Sequence, residues 1–180
     1  AVEKINRFRH SLETIAAELD GKIIQYYGDG SLLLFRSSTD AAEFAKLLQT
    51  SLNEEAPVVP VRIGIHMGDV LLLNGNVFGD VVNIASRIQS LGQENTVLIS
   101  ADIHDKIKNN TSFTTSTLGF FDFKNVYKPM EVFALTSEGL TIPMRKNLGG
   151  KLKSKNKSRQ YVFIVLAVAL IVFFGLQLSR

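Results

Sequence analysis

The chain contains no cysteine, so no disulfide, thiolate metal site or cysteine nucleophile belongs to its chemistry, and its redox compartment is left open. Acidic residues are missing from its last part: all 17 Asp and Glu lie at or before Glu138. Only 12 of the 20 Lys and Arg fall in that first part, which leaves it at −5 although the whole chain stands at +3. No internal repeat is visible. At 180 residues, 46% hydrophobic and 21% charged, the chain suits one globular domain with a sizeable core plus an appendage.

Beyond Glu138 the chain turns basic and then apolar. "RKNLGGKLKSKNKSR", Arg145 to Arg159, holds seven Lys or Arg and no acid, and its glycines, serines and asparagines show no apolar periodicity. Residues 138–159 therefore read as a flexible basic linker. "YVFIVLAVALIVFFGLQL", Tyr161 to Leu178, then runs for 18 residues without a charge. As a helix it would be about 27 Å long against a hydrocarbon core of roughly 30 Å, so residues 160–178 are expected to form a single transmembrane helix. Basic residues concentrate on the cytoplasmic side of a span, which would place residues 1–158 in the cytoplasm. The basic run suits anionic lipid headgroups, and a span beside it argues against a nucleic-acid tail.

In the first part, Ile5, Phe8, Leu12, Ile15 and Leu19 recur every three or four residues, predicting a helix that Asp20-Gly21 ends. Ser38 or Thr39 is placed to cap a second helix whose Ala42, Phe44, Ala45, Leu48 and Leu52 face inward. "VPVRIGIHMGDVLLL" reads as a strand, "FGDVVNIASRIQSL" as a third helix, "TVLIS" as a short buried strand and "ADIHDKIK" as a short helix. Phe113 to Asp122 and Met130 to Thr136 read as closing strands. Strands and helices mix without strict alternation, which predicts an α+β domain, a mixed sheet covered by helices.

Between two strand-like runs, Ile23 to Tyr27 and Ser31 to Phe35, stands "YGDG". An Asp-Gly pair there signals a tight hairpin. Asp29 is then either the polar tip of a turn or a carboxylate held out to bind something, and the local sequence does not decide which. Asn83 and Arg87 in "VVNIASR" are four apart and share one face of the third helix, as a solvated pair or as groups reaching one ligand. His66, inside an alternating strand, reads as a hydrogen-bonded strand residue, and His10 and His104 show no metal-ligand spacing.

"GKIIQYYGDGSLLLF", "VRIGIHMGDV", "NVFGDVVNIASRIQSLG" and "FKNVYKPMEVFAL", in that order over residues 3 to 137, resemble the catalytic domain of class III adenylate/guanylate cyclases. The resemblance implies a ferredoxin-like mixed sheet and the conversion of a nucleoside triphosphate to its 3′,5′-cyclic monophosphate and pyrophosphate, with two divalent ions, Mg²⁺ or Mn²⁺. By position it implies that Asp29 is one metal ligand, that Asn83 orients the ribose and Arg87 stabilises charge on the α-phosphate, and that Lys124 contacts the terminal phosphates. It further implies a head-to-tail homodimer in which the metal aspartates of one copy face the Asn and Arg of the other. An arginine suits its position because its planar fork stays charged and takes phosphate oxygens two at a time.

Three departures accompany the resemblance. The family's other metal aspartate lies in an N-terminal strand, in a motif like Phe-x-Asp-Ile-x-Gly, and no such motif occurs here. The domain over residues 1–137 is accordingly read as lacking its first strand, by truncation or as a true variant. At the base-selecting positions stand Gln25, four before Asp29, and Asn76, seven before Asn83; these neutral amides match neither the usual adenine nor the usual guanine pair. ATP is the default substrate by analogy. A catalytically inactive module that senses nucleotide or dimerises is the alternative. The third departure is the apolar segment close to Arg180.

Overall fold

The computed structural model describes residues 2–28, 30–54, 56–144, 148 and 166–172. The chain opens with α1 (Val2–Glu18), the hairpin β1 (Lys22–Tyr27) and β2 (Gly30–Phe35), and α2 (Ser38–Glu54). It continues through β3 (Val61–Met67), β4 (Leu71–Leu73), β5 (Asn76–Phe78), α3 (Asp80–Leu91), β6 (Thr96–Ser100) and α4 (Ala101–Ile107). β7 (Thr115–Phe121), β8 (Met130–Leu135) and β9 (Leu166–Val172) complete the described elements.

Seven strands form one sheet in the order β1-β2-β9-β3-β6-β8-β7. β2, β9, β3 and β6 run parallel, while the β1–β2, β6–β8 and β8–β7 pairs are antiparallel. The sheet is mixed, as the sequence predicts. Side chains alternate across each strand. Leu33 and Phe35, Val61, Ile63 and Ile65, and Val97 and Ile99 point to one face, where they meet Phe8 and Leu12 of α1, Phe44, Leu48 and Leu52 of α2, and Ile103 and Ile107 of α4. Leu32 and Leu34 turn to the other face against Ala85 of α3, and Leu98, Val132 and Ala134 turn the same way against Ile88 and Leu91.

The helical periodicities translate directly into burial. Phe8, Leu12 and Ile15 of α1 are buried, and Asp20, at φ 53°, turns the chain out of the helix where Asp-Gly was expected to end it. In α2 all five inward residues are buried, but the cap is Ser37, whose Oγ accepts the Asp40 N–H at 3.2 Å. Gln49 is buried and ties α2 to the sheet, its amide donating to Val61 O at 3.0 Å and to Thr96 O at 3.3 Å.

Two expectations are corrected. "VPVRIGIHMGDVLLL" is not one strand: β3 ends at Met67, and Leu71–Leu73 pairs with Asn76–Phe78 in a separate hairpin turned by Asn74 (φ 50°) and Gly75 (φ 78°). The Asn-Gly dipeptide was the available signal for this turn. The second correction concerns the expected transmembrane helix over 160–178. Leu166–Val172 is a strand, Gly30–Phe35 of β2 pairing with Ala167–Val172 on one side and Val61–Met67 of β3 with Leu166–Val172 on the other. An unbroken apolar run satisfies the interior of a parallel sheet as well as it satisfies a bilayer, because both environments take side chains without polar groups. Residues 161–165 and 173–178 lie outside the described residues, and no described helix is long and apolar enough to cross a membrane. Of the expected linker, Leu140 packs on the core and the Thr141 N–H donates to Asn95 O at 3.0 Å; residues 145–147 and 149–159 lie outside the described residues.

Candidate active site

α3 carries the side chains that the sequence singles out most strongly. Its buried side is Ala85, Ile88, Gln89 and Leu91. This leaves Asn83 exposed and Arg87 partly exposed on the outer side, one turn apart. The Arg87 guanidinium donates from Nη1 to the backbone carbonyl of Lys124, in the turn after β7. Arg87 and Lys124, chosen separately from the sequence, are thus brought together. The bond holds the arginine by one edge and leaves the Lys124 ammonium exposed.

A second part of the site is built by β1 and its hairpin. Gln25 is exposed on β1, next to a register shift between Ile23 and Gln25 that interrupts the regular pairing with β2. β5 lies against β1 and brings Asn76, also exposed, to the same side of the domain. Gln25, Asn76 and Asn83 are free of side-chain hydrogen bonds among the described residues. Asp29 lies outside the described residues, but its neighbours show the setting: a side chain at Gly28 would meet nothing within 4 Å, and Gly30 begins β2. The space beside Gly28 is open.

Tyr26 on β1 is held by α1, its hydroxyl donating to Glu13 Oε1 at 2.7 Å while the Arg9 guanidinium lies 4.8 Å from its ring centre. Burial, followed by the bond to Glu13, pushes the phenol up to about 12, so it stays protonated. His66 is 5% exposed, with Nδ1 2.9 Å from Ser100 Oγ, and burial lowers its pKa against a smaller opposing influence of Asp102. It is the hydrogen-bonded strand residue the alternation predicts. His104 stacks on Phe133 at 3.9 Å between ring centres and pairs with Thr115 Oγ1 at 3.0 Å, which gives it a packing role.

Residues 39–137, more than half of the chain, match the adenylate and guanylate cyclase catalytic domain family. The chain belongs to that family. A putative adenylate cyclase of Rhizobium meliloti strain 1021 is 30% identical over 133 residues, covering 71% of this chain and 23% of that protein. An adenylate cyclase of Streptomyces coelicolor is 29% identical over 109 residues, covering 58% of this chain and 29% of that protein. The cyclase chain thus spans about a quarter of the length of these two relatives. The crystal structure of an adenylate/guanylate cyclase/hydrolase from Silicibacter pomeroyi matches with a TM-score of 0.66 at 27% identity, over 76% of this chain and 83% of that one. The α+β arrangement with its mixed sheet is the nucleotide cyclase fold.

Within this cyclase domain Asn76, Asn83, Arg87 and Lys124 fall inside the matched range, whereas Gln25 and Asp29 precede it. The family uses divalent metals. Among the described residues no group of three or more His, Asp or Glu gathers to hold an ion, so the described side chains by themselves make no metal cage.

Proposed function

We propose that this cyclase domain converts ATP to 3′,5′-cyclic AMP and pyrophosphate, with the Arg87 guanidinium bound to the α-phosphate. The 3′-hydroxyl gives up its proton to solvent, its oxygen bonds to the α-phosphorus, and the bond from that phosphorus to the bridging oxygen breaks, releasing pyrophosphate. Negative charge grows on the α-phosphate oxygens during the exchange, and a fixed guanidinium stabilises it without having to reorganise. The observation that carries this reading is the hydrogen bond from Arg87 to the backbone carbonyl of Lys124: it brings α3 against the turn that carries Lys124, with the exposed Asn83 one helical turn before Arg87.

Asn83 is assigned to the ribose and the Lys124 ammonium to the terminal phosphates. Gln25 and Asn76, on adjacent elements and without other bonds, are assigned to the base edge, and the choice of ATP rests on the names of the two curated relatives. Asp29 is our proposed ligand for Mg²⁺ or Mn²⁺, since hard cations take carboxylate oxygen. The partner in this reading is a second copy placed head to tail, whose Asp29 hairpin faces α3.

The test supplies ATP, and GTP in parallel, with Mn²⁺ or Mg²⁺ and monitors cyclic nucleotide. Arg87→Ala is expected to lower kcat about 100-fold, in line with loss of one transition-state donor. Mixing Asp29→Ala with Arg87→Ala protein is expected to restore part of the activity that each lacks, because one of the two shared sites in the mixed dimer is then intact. Full activity in both single variants would remove the site assignment. A second reading, a module that binds nucleotide without turning it over, is favoured by Gln25 and Asn76, neutral amides that match neither the usual adenine nor the usual guanine pair. Calorimetric binding of ATP with no product would select it.

A further inference from the structure

α3 lies on β3 more closely than a helix can lie on a strand bearing ordinary side chains. Gly64 is buried at the middle of β3, on the face opposite the Val61, Ile63 and Ile65 core. A Cβ placed on it would overlap Gln89 N, and would stand 2.6 Å from Gln89 Cβ and 2.7 Å from Ala85 O. Two of those three atoms are backbone of α3, so no side-chain rotation relieves the overlap. Further along the chain, just past the end of β3, a Cβ at Gly68 would stand 2.6 Å from Val81 Cγ2, a side-chain methyl, and would meet no backbone of α3 closer than 3.8 Å. Both glycines lie under α3, but only Gly64 sets how deep the helix lies.

We propose that Gly64 is a positioning residue: by leaving no side chain beneath α3 it fixes the depth of that helix on the sheet, and through it the place of Arg87 against Lys124. Arg87 lies midway between Ala85 and Gln89 in sequence, on the helix side opposite the overlap. A helix lifted from β3 shifts the guanidinium relative to the Lys124 turn, which is tied to β7 before it and packs through Phe123 and Val126 beside Ile88 and Leu91. Displacements of about 1 Å at a charge-stabilising group cost on the order of 100-fold in rate. Neither Gly64 nor any atom of β3 at that position touches the outer face where the nucleotide is placed. The inference rests on the role given to Arg87 above.

The experiment uses the full chain. Gly64→Ala is expected to lower kcat for ATP about 100-fold while KM changes by much less, since the groups assigned to the base lie on β1 and β5 and only Asn83, assigned to the ribose, moves with α3. Gly64→Ala combined with Arg87→Ala is expected to be no slower than Arg87→Ala alone, because residues acting as one unit are not additive. Gly68→Ala is the control and keeps kcat within about threefold. If Gly64→Ala does not fold, Ala85→Val lifts the same helix from its own side, against Leu32 and Leu34, and carries the same expectation. Wild-type kcat in Gly64→Ala, or losses that multiply in the double variant, would overturn the proposal. A wild-type chain without cyclase activity would instead overturn the function. In that event amide chemical shifts decide: Gly64→Ala must move the resonances of α3 and of 123–126 and leave α1 and α2 in place, and unmoved α3 resonances reject it.

Discussion

The two faces of the main sheet are covered by different means. On one, α1, α2 and α4 bring Phe8, Leu12, Phe44, Leu48, Leu52, Ile103 and Ile107 together in a single large cluster. On the other, α3 lies across glycine, and the apolar residues divide into two smaller groups on either side of it. Stability scales with apolar area withdrawn from water, so the first face holds most of it. The second face holds the polar groups of the proposed site and depends more on where its one helix lies. The distinction between a face that stabilises and a face that positions can be broken by experiment.

The largest effect belongs to the first face. Phe44 is fully buried on α2, and its ring centre lies 5.1 Å from that of Phe35 at an angle of 47°. Phe44→Ala removes the buried ring, leaves a cavity under α2 and is expected to destabilise the domain by about 3–5 kcal/mol. Denaturant unfolding measures this. A loss below about 1 kcal/mol would mean that the first face is not the stabilising one.

That cluster was legible in the sequence because its periodicities are long: Phe8, Leu12 and Ile15, and Phe44, Leu48 and Leu52, each span several turns of one helix. Arg87 and Asn83 were legible for the same reason, since four-residue spacing within a clear helix fixes a shared face whatever the rest of the chain does. The β4–β5 hairpin was not, because "LLL" continues the apolar character of β3 and only Asn74-Gly75 marks the break. The apolar segment near the end was misread over Leu166–Val172 because composition alone does not distinguish a buried parallel strand from part of a membrane helix; strand partners far away in the chain decide it. The seating of α3 on Gly64 was beyond the sequence altogether, for a glycine inside a strand pattern does not say which element approaches it.

A smaller effect belongs to a polar group on the second face. His66 is buried beside Ser100, and burial holds its pKa below the ordinary 6.5, with Asp102 opposing. Between those two values the unfolded chain takes up a proton that the folded domain refuses. The stability that His66 leaves intact above pH 6.5 is therefore lost as pH falls from 6.5 toward the folded value, at up to about 1.4 kcal/mol per pH unit. Melting curves from pH 8 to pH 5 are expected to drop more steeply for the wild type than for His66→Gln, which has no proton to gain at this position. Parallel curves for the two proteins would show that the imidazole is not kept neutral by its surroundings.

The smallest expected stability effect sharpens the comparison most. Arg87 is partly exposed, and its hydrogen bond to the Lys124 carbonyl joins a group that water can satisfy once the guanidinium is gone. Arg87→Ala is therefore expected to change unfolding free energy by no more than about 0.5 kcal/mol, the range of surface substitutions, while the same protein loses about 100-fold in kcat. Stability and activity must come apart at this residue if the second face positions chemistry and does not hold the fold together. A loss of stability comparable to that of Phe44→Ala would tie Arg87 to folding, and the fall in activity would then come from an unfolded helix and carry no information about charge on the α-phosphate.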